Sequence, residues 1–338
     1  MRVIVDAFGG DNAPLEIIRG AAMAVEEYGH EVVLTGDESQ IKQVATDKGI
    51  SLAKMDIIHA PDVIRMEDEP RSILKEHKEC SMAEGLRQLA AGNGDAFVTA
   101  GSTGAMIMGA TFLVKRIKGV SRAALAPVMP SNKGPFMLID SGANVDCRPE
   151  MLLQFAQMGS LYMESILGRS VSVGLINIGT EDCKGGALQH EAFALLKESG
   201  LNFVGNVEAR DIAFGTADVL VADGFTGNVV LKMMEGVTDA LMKNIKDIFM
   251  TNTKTKLAAL MVKPQLGGFK KKMDTSEYGG APLLGVSKPV IKTHGNSKAP
   301  AVKHAIRVAA TFAEAGVIDK ITKAVQQTQV ATTTQGAE

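Results

Sequence analysis

Glycine-rich turns that also carry hydroxyl, amide and charged side chains are the parts of this sequence best suited to chemistry. Each turn follows a short run of apolar, largely β-branched residues. With those runs, the turns occupy residues 3–11, 96–105, 136–146, 174–186 and 219–228. Glycine lets the backbone approach a ligand closely, and free N–H groups at a helix start favour an anion. Together they predict a site for phosphate or for a small phosphate-bearing molecule.

These turns supply the candidate ligands for phosphate and substrate. The candidates are Gly9, Gly10, Asp11, Ser102, Thr103, Gly104, Asp140, Asn144, Gly179, Thr180, Glu181 and Thr226. Ser102 and Thr103 precede a predicted helix, where hydroxyls and free amides could hold an anion, or where Ser102 could serve only as a helix cap. Asp140 could orient donors or accept a proton, or its role could be confined to stabilising the turn.

Four residues are candidates for direct participation in catalysis: Lys184, Asn228, Asp223 and His294. Lys184 could neutralise a phosphate or an oxyanion as a point charge, or could be a solvated surface lysine. The Asn228 amide could donate to phosphate or to a carbonyl group, and Asp223 has the same two open roles as Asp140. His294 could polarise a carbonyl group or protonate a leaving thiolate, or could be structural.

Several ligand classes are excluded by the pattern. No combination of His, Cys and acidic residues has the spacing of a metal site, so no metal is predicted. Neither GxGxxG after the first strand nor GxxxxGK[ST] occurs, so no nucleotide cofactor is expected. A net charge of −2, 4% aromatic residues and the absence of Trp argue against a nucleic-acid partner.

Apolar runs that alternate with helical patterns show which elements must position these turns. Strands are predicted at residues 3–6, 32–35, 56–59, 96–99, 137–139, 172–178, 203–205 and 219–222. Helices are predicted at residues 15–28, 82–91, 105–114, 151–167, 187–198 and 228–250. This alternation predicts a three-layer α/β/α fold with a mostly parallel sheet, in which the turns converge on one edge. We expect a single domain over residues 1–325 and a flexible polar tail over 326–338.

The segment 251–278 interrupts the alternation with a basic, apolar sequence. The residues concerned are Leu257, Leu260, Met261, Phe269, Lys270, Lys271 and Lys272. A helix over 255–263, broken at Pro264, would place the first three on one face. Such a tip could contact an anionic membrane surface or an acidic carrier protein, or could cap the core of a dimer.

The sequence also bears on location. No apolar run reaches the roughly 20 residues that span a bilayer. The amino terminus has no signal-peptide pattern, and Cys80, Cys147 and Cys183 lack paired spacing. We therefore expect a cytoplasmic protein, associated with a membrane only peripherally.

Eight sequence blocks carry a resemblance to a known family. In order they are VDAFGGDNAP, TAGSTGAM, LIDSGANVDCRPE, NIGTEDCKGG, NFVGNVEARD, ADGFTGNVVLK, YGGAPLLGV and VIKTHGNS. Together they resemble the PlsX family of phosphate acyltransferases over about residues 1–315. The resemblance implies a fold like that of phosphotransacetylase and isocitrate dehydrogenase, and homodimers at the membrane surface.

The family resemblance also implies a reaction. Inorganic phosphate attacks a long-chain acyl–acyl carrier protein, giving acyl phosphate and free carrier protein. The acyl phosphate then passes to a membrane glycerol-3-phosphate acyltransferase in bacterial phospholipid (phosphatidic acid) synthesis. Two alternatives stay open: a phosphotransacetylase-like enzyme acting on acyl-coenzyme A, and a non-enzymatic scaffold at the membrane surface.

Overall fold

The computed structural model describes the backbone of residues 1–273 and 278–335 and the side chains of residues 1–268 and 278–326. The strands are β1 (Arg2–Asp6), β2 (Glu31–Gly36), β3 (Met55–His59), β4 (Ala96–Thr99), β5 (Ala124–Leu125), β6 (Val128–Pro130), β7 (Pro135–Ile139), β8 (Val173–Asn177), β9 (Phe203–Glu208), β10 (Val219–Val221), β11 (Ala281–Leu284) and β12 (Val290–Lys292). The helices are α1 (Leu15–Tyr28), α2 (Glu38–Lys48), α3 (Ser81–Ala90), α4 (Thr103–Gly109), α5 (Pro149–Leu167), α6 (Ala187–Glu198), α7 (Gly224–Met250), α8 (Thr253–Met273), α9 (Ala299–Glu314) and α10 (Val317–Gln335). Short 3-10 helices span Pro70–Leu74 and Ala209–Phe214, and a π-helical turn, Ala110–Lys115, continues α4.

Mostly parallel sheets flanked by helices confirm the predicted α/β class. The sequence predicts one sheet, whereas the structure divides the strands between two. The first has the order β3-β2-β1-β4-β12-β11-β5, and only β11 runs antiparallel to its neighbours. The second has the order β6-β7-β10-β8-β9, with β6 antiparallel. The chain leaves the first sheet after β5 and returns at β11, a long-range pairing that local periodicity does not encode.

The core is continuous between the two sheets. Buried residues of β1 and β12, such as Val5 and Ile291, belong to the same apolar cluster as Ile139 of β7 and Val221 of β10. Strands β1, β4, β8 and β10 are buried along almost their whole length, as expected for parallel strands covered on both faces. This packing fixes the carboxyl ends of the strands, from which the predicted turns leave.

Helices α7 and α8 form a long pair of which much is exposed. In α7, large apolar side chains recur at every fourth position and are more than half exposed: Phe225, Val229, Met233, Val237 and Leu241. The predicted helix over 255–263 lies inside α8, but the predicted break at Pro264 is wrong, because the helix continues to Met273. Proline removes one N–H, and on a helix this exposed, water can satisfy the carbonyl group that loses its partner.

The carboxyl-terminal helix α10 was not predicted from the sequence. Helix α10 runs from Val317 to Gln335, so helical backbone enters the segment expected to be a flexible tail. Residues 336–338 of that segment lie outside the described residues. Among the helices of the described ranges, none combines the length and apolarity that crossing a bilayer requires.

Candidate active site

A cleft of about 600 Å³ opens where the two sheets meet. It lies at the carboxyl ends of β4 and β12, beside the turn after β7, with α7 and the start of α9 as walls. Polar side chains on its lining include Thr103, Asn228, Lys232, Glu235, Lys292 and His294. Three of the predicted residues, Thr103, Asn228 and His294, are therefore brought together. We call this cavity the active cleft.

Lys292, the last residue of β12, places a buried cation in the active cleft. Its side chain is 8% exposed, and its ammonium group donates to the backbone oxygens of Ala100 and Thr293. Among the described side chains, no carboxylate lies within ion-pair distance of Lys292. Burial, together with the positive charge of Lys232, lowers the pKa of Lys292 to about 8. The described hydrogen bonds of this ammonium group are therefore to carbonyl oxygens, while Asp6 and Asp11 act on it from a distance.

Glu235, on the wall formed by α7, lies between His294 and Lys232. Its Oε1 lies 3.0 Å from Nε2 of His294, and its Oε2 accepts a hydrogen bond of 3.1 Å from Lys232. Burial opposes ionisation of Glu235, but the contacts with His294 and Lys232 outweigh it and hold the pKa below its ordinary value. The carboxylate thus holds one ammonium group by a hydrogen bond and lies directly beside the imidazole ring.

The turn after β1 supports the active cleft from behind. Asp6 accepts hydrogen bonds from Ser81 (2.6 Å) and Thr99 (2.7 Å), and the Asp11 backbone N–H donates to the Gly295 carbonyl at 2.8 Å. Gly10 has φ +97°, and a Cβ there would lie 2.7 Å from that same carbonyl oxygen. A Cβ on Gly9 would lie 2.5 Å from Asp6. The predicted residues Gly9, Gly10 and Asp11 therefore act by close packing behind the loop that carries His294.

Asp140 builds the turn after β7. One carboxylate oxygen accepts N–H groups of Leu125 (2.9 Å), Gly142 (3.3 Å) and Ala143 (3.1 Å). The other accepts the backbone N–H of Asn144 at 2.6 Å and its side-chain amide at 2.9 Å. Burial raises the pKa of Asp140, and the N–H donors act against that effect. Asp140 and Asn144 thus bond to each other and to the turn, and the neighbouring Ser141 and Gly142 line the active cleft.

Asp223 and Ser102 are the caps of the two helices that border the active cleft. Asp223 accepts the backbone N–H of Thr226 at 2.8 Å and its hydroxyl at 2.8 Å, so both side chains are engaged at the start of α7. Ser102 accepts the N–H of Ala105 at 3.4 Å at the start of α4. Gly104 packs against Pro70, from which a Cβ would be 2.7 Å away. Capping is the role that the structure shows for Asp223 and Ser102.

Comparison with known proteins identifies the family. A sequence model described as fatty acid synthesis protein matches residues 1–320. A phosphate acyltransferase from Clostridium novyi (strain NT) is 46% identical over 98% of this chain and 100% of its own length. One from Geobacillus thermodenitrificans (strain NG80-2) is 45% identical over 97% of this chain and 100% of its own. The chain belongs to the phosphate acyltransferase family.

Solved structures with the same fold agree with this membership. A phosphotransacetylase from Streptococcus pyogenes superposes with a TM-score of 0.62 at 17% identity, over 93% of this chain and 94% of that one. The EutD phosphotransacetylase from Staphylococcus aureus gives a TM-score of 0.59 at 16% identity, with the same coverage of both chains. The predicted resemblance to the phosphotransacetylase fold is thereby confirmed, and as a member of the phosphate acyltransferase family the chain is an acyltransferase.

The turn after β8, which the sequence analysis assigns to this acyltransferase's site, lies apart from the active cleft. Gly179, Thr180, Glu181 and Lys184 are absent from its lining. The Lys184 ammonium is 3.7 Å from Glu181, and its side chain is 43% exposed. Asn177 and Asn206 tie the turn to its own sheet by hydrogen bonds to the carbonyl groups of Lys184 (3.0 Å) and Glu181 (2.8 Å). A role for these residues in the reaction stays a prediction.

The predicted contact residues of the tip fall into two groups. Leu257, Leu260 and Met261 are 63–77% exposed on α8. The side chains of Phe269, Lys270, Lys271 and Lys272 lie outside the described residues, although their backbone belongs to α8. The first group leaves apolar surface uncovered on the described part of the helix.

Sequence reasoning missed Lys232, Glu235 and Lys292 in this phosphate acyltransferase. A signal for the first two existed, because they lie four and seven residues after Asn228, which places all three on one helix face. Lys292 ends the apolar run that precedes His294, and the sequence-based candidates include only the histidine. A lysine ending a buried strand is itself a signal, since a buried charge requires a partner.

Proposed function

We propose that the active cleft catalyses transfer of a long-chain acyl group from acyl carrier protein to inorganic phosphate, giving acyl phosphate and free carrier. The observation that carries the proposal is Lys292, a buried cation without a carboxylate partner among the described side chains. Asp6 and Asp11 compensate this charge only from a distance, and a buried charge without an ion-pair partner is costly, so a phosphate dianion would supply a direct counter-ion. Thr103 and Asn228, on the same lining, offer a hydroxyl and an amide to the remaining oxygens.

The reaction needs little covalent help from the protein. A phosphate oxygen attacks the thioester carbonyl carbon, the tetrahedral oxyanion collapses, the C–S bond breaks and the thiolate leaves. A thiol with a pKa around 8.5 is a good leaving group. Positioning of phosphate and stabilisation of the oxyanion are the main requirements, and fixed donors and cations in a cleft meet both.

His294 is the residue we assign to the thioester end of the reaction. Its Nε2 lies 3.0 Å from Oε1 of Glu235, and an imidazole ring there can polarise the carbonyl group or give a proton to the departing thiolate. Lys232 adds a positive charge to that of Lys292. Phosphate, oxyanion and thiolate are all anionic, so two ammonium groups and an imidazole in one cleft match the whole sequence of species.

The acyl chain requires apolar surface next to these cations. Leu125, Val128, Met129, Leu231 and Ala281 line the same cleft. They border the polar residues directly, so a thioester carbonyl can face Lys292 while the chain lies against carbon.

A direct assay tests the function. Purified protein is mixed with palmitoyl–acyl carrier protein, with and without phosphate, and free thiol and hydroxylamine-trapped acyl phosphate are followed together. Release of both only with phosphate supports the proposal. Faster reaction with acetyl-coenzyme A would favour a phosphotransacetylase activity. Binding of carrier or vesicles without turnover would favour a scaffold.

We further propose a cytoplasmic homodimer that contacts the anionic membrane surface and passes acyl phosphate to a membrane glycerol-3-phosphate acyltransferase. The exposed apolar residues of α7 support a dimer contact. Leu257, Leu260 and Met261, with Lys254, Lys256 and Lys263 on the same helix, support a membrane contact by α8. Sedimentation of Val237→Glu and vesicle flotation of Leu260→Asp separate the two contacts.

A further inference from the structure

A second cleft, of about 1310 Å³, opens on the far side of the turn that Asp140 builds. Its walls are the 3-10 helix Pro70–Leu74, the end of α4 with its π-helical turn, and the loop over 116–123. Thr103 and Gly142 line the active cleft, whereas Met108 and Ala143 line this one. Five residues of helix correspond to about 7.5 Å, so the two clefts are close neighbours.

Positive charge predominates around this second cleft, which we call the basic cleft. Six exposed cations line it against three acids: Arg71, Lys75, Lys115, Arg116, Lys118 and Arg122. Within the ranges whose side chains are described, none of the six forms an ion pair. Their charges are therefore available to an acidic partner.

Apolar side chains lie among these charges. Phe112 and Val145 are 58% and 61% exposed, and Ile107 and Met108 are partly buried on the same lining. Aromatic and apolar anchors surrounded by polar residues are typical of protein–protein contacts. A concave surface of this kind suits the convex face of a folded protein better than a flat bilayer.

The backbone on one wall is held in an unusual conformation. Lys115 ends the π-helical turn with φ +76°, a value uncommon for a residue other than glycine. Ser287 fixes it from the neighbouring segment: its hydroxyl donates to the Val114 carbonyl at 2.7 Å and its N–H to the Lys115 carbonyl at 2.9 Å. Conformations of this kind, and π-helical turns, concentrate at functional sites.

We propose that the basic cleft docks the acidic face of the carrier protein, so that the carrier's thioester arm reaches the adjacent active cleft; this rests on the proposed function. Charge complementarity identifies the occupant, because acyl carrier protein is strongly acidic and the six exposed cations here form no ion pair with any described side chain. The position of the basic cleft indicates its role, because the turn over residues 140–146 lies between it and the active cleft. The α8 lysines are then left for the membrane.

The test reverses two charges and compares two substrates. In Lys75→Glu/Lys118→Glu we expect the KM for palmitoyl–acyl carrier protein to rise at least about tenfold at low salt, with kcat nearly unchanged. At about 0.5 M salt the difference shrinks, because exposed charges are screened. Palmitoyl-pantetheine, which has no acidic protein to dock, is turned over as by the unmodified chain.

The matched control is Lys48→Glu/Lys54→Glu, with the same change of charge beside β3, at the edge of the first sheet opposite β5. It leaves the KM unchanged. Three results would overturn the proposal. Lys75→Glu/Lys118→Glu could have the same KM as the control, its kcat/KM could fall equally for both substrates, or only its binding to vesicles could be lost. If the unmodified chain releases no thiol in the presence of phosphate, the proposed function is wrong. The docking site can still be tested, because the fluorescence anisotropy of labelled holo-carrier gives the affinity of each double variant for the carrier.

Discussion

Asp140 and Lys292 occupy similar places in the two sheets and have opposite uses. Both are buried charged residues at the carboxyl ends of parallel strands, β7 and β12, beside one cleft. Asp140 accepts five N–H groups, all from its own turn and from the adjoining Leu125. Lys292 donates only to the carbonyl groups of Ala100 and Thr293.

The difference lies in whether the charge is already compensated. A carboxylate surrounded by N–H donors needs no ligand, and it specifies the shape of a turn. A buried ammonium group held by carbonyl oxygens still needs an anion. In this cleft Asp140 builds the turn, and Lys292 is the residue to which we assign the anionic ligand, although the sequence places both in similar glycine-rich contexts.

The largest effect is expected from removing the acid that builds the turn. Asp140→Ala leaves five N–H groups without their acceptor, so the free energy of unfolding should fall by about 3–5 kcal/mol in urea titrations. Asp140→Asn keeps one carbonyl acceptor and should lose less. A stable but inactive Asp140→Ala protein would instead make Asp140 a catalytic acid or base, and the comparison would fail.

Lys292→Met should show the reverse pattern. The kcat/KM for phosphate should fall by about 100- to 1000-fold, as for loss of one donor to a developing charge. The free energy of unfolding should be unchanged or slightly higher, because a desolvated cation has been removed. Lys292→Arg, which keeps the charge, should retain part of the activity. Loss of stability in Lys292→Met with normal turnover would contradict the assignment.

The pH profile follows from the same lysine. With a pKa of about 8, Lys292 is positive below that pH and neutral above it. Phosphate kcat/KM should therefore fall by about tenfold per unit above pH 8. An arginine at this position stays charged throughout that range, so the Lys292→Arg profile should be flat there. A profile shared by both proteins would show that another group titrates.

A smaller effect is expected at Glu235, which acts through His294. Glu235→Gln removes the negative charge that lies beside His294 and Lys232, so these two side chains are held less well and kcat should fall by about tenfold. Unfolding measurements serve as the control, since a purely structural role would lower the free energy of unfolding together with kcat.

The smallest effect concerns Lys184. Because this half-buried lysine lies outside the active cleft and pairs with Glu181, Lys184→Ala should change kcat/KM by less than about threefold. A loss of a hundredfold would support the sequence-based assignment over the geometric one.

Local pattern was enough for the elements that alternate in the chain. All the predicted strands and helices have counterparts, because an apolar run before a glycine turn, or a 3.6-residue periodicity, is a local property. Helices α2, α9 and α10 were not predicted. The short strands β5, β6, β11 and β12 were also missed. They are two to four residues long, and their identity as strands depends on partners far away in the chain.

The location of the candidate site could be predicted from the sequence, but the residues that line it could be predicted only in part. Thr103, Asn228 and His294 line the active cleft as expected, because carboxyl ends of parallel strands and the helix starts beside them converge. The hydrogen bonds of Asp140, Asp223 and Ser102 are those of turn and cap residues. Whether such a residue caps a turn or binds a ligand depends on which N–H groups lie near it, and the sequence alone does not give this. Lys184 shows most clearly where local pattern fails. Strands β7 and β8 both end in a glycine-rich turn, but β8 lies farther along the second sheet, and its turn is absent from the lining of the active cleft.

Helix α7 carries two patterns on one continuous backbone. Asn228, Lys232 and Glu235 line the active cleft, while the exposed apolar residues from Phe225 to Leu241 face elsewhere. An α-helix turns about 100° per residue, so the angle between the two faces is set by residue count alone. A single residue inserted after Glu235 would leave the cleft intact and turn the outer part of the helix by more than a quarter of a revolution. The number of residues in α7 therefore sets the orientation of the active cleft relative to any surface that the outer parts of α7 and α8 contact.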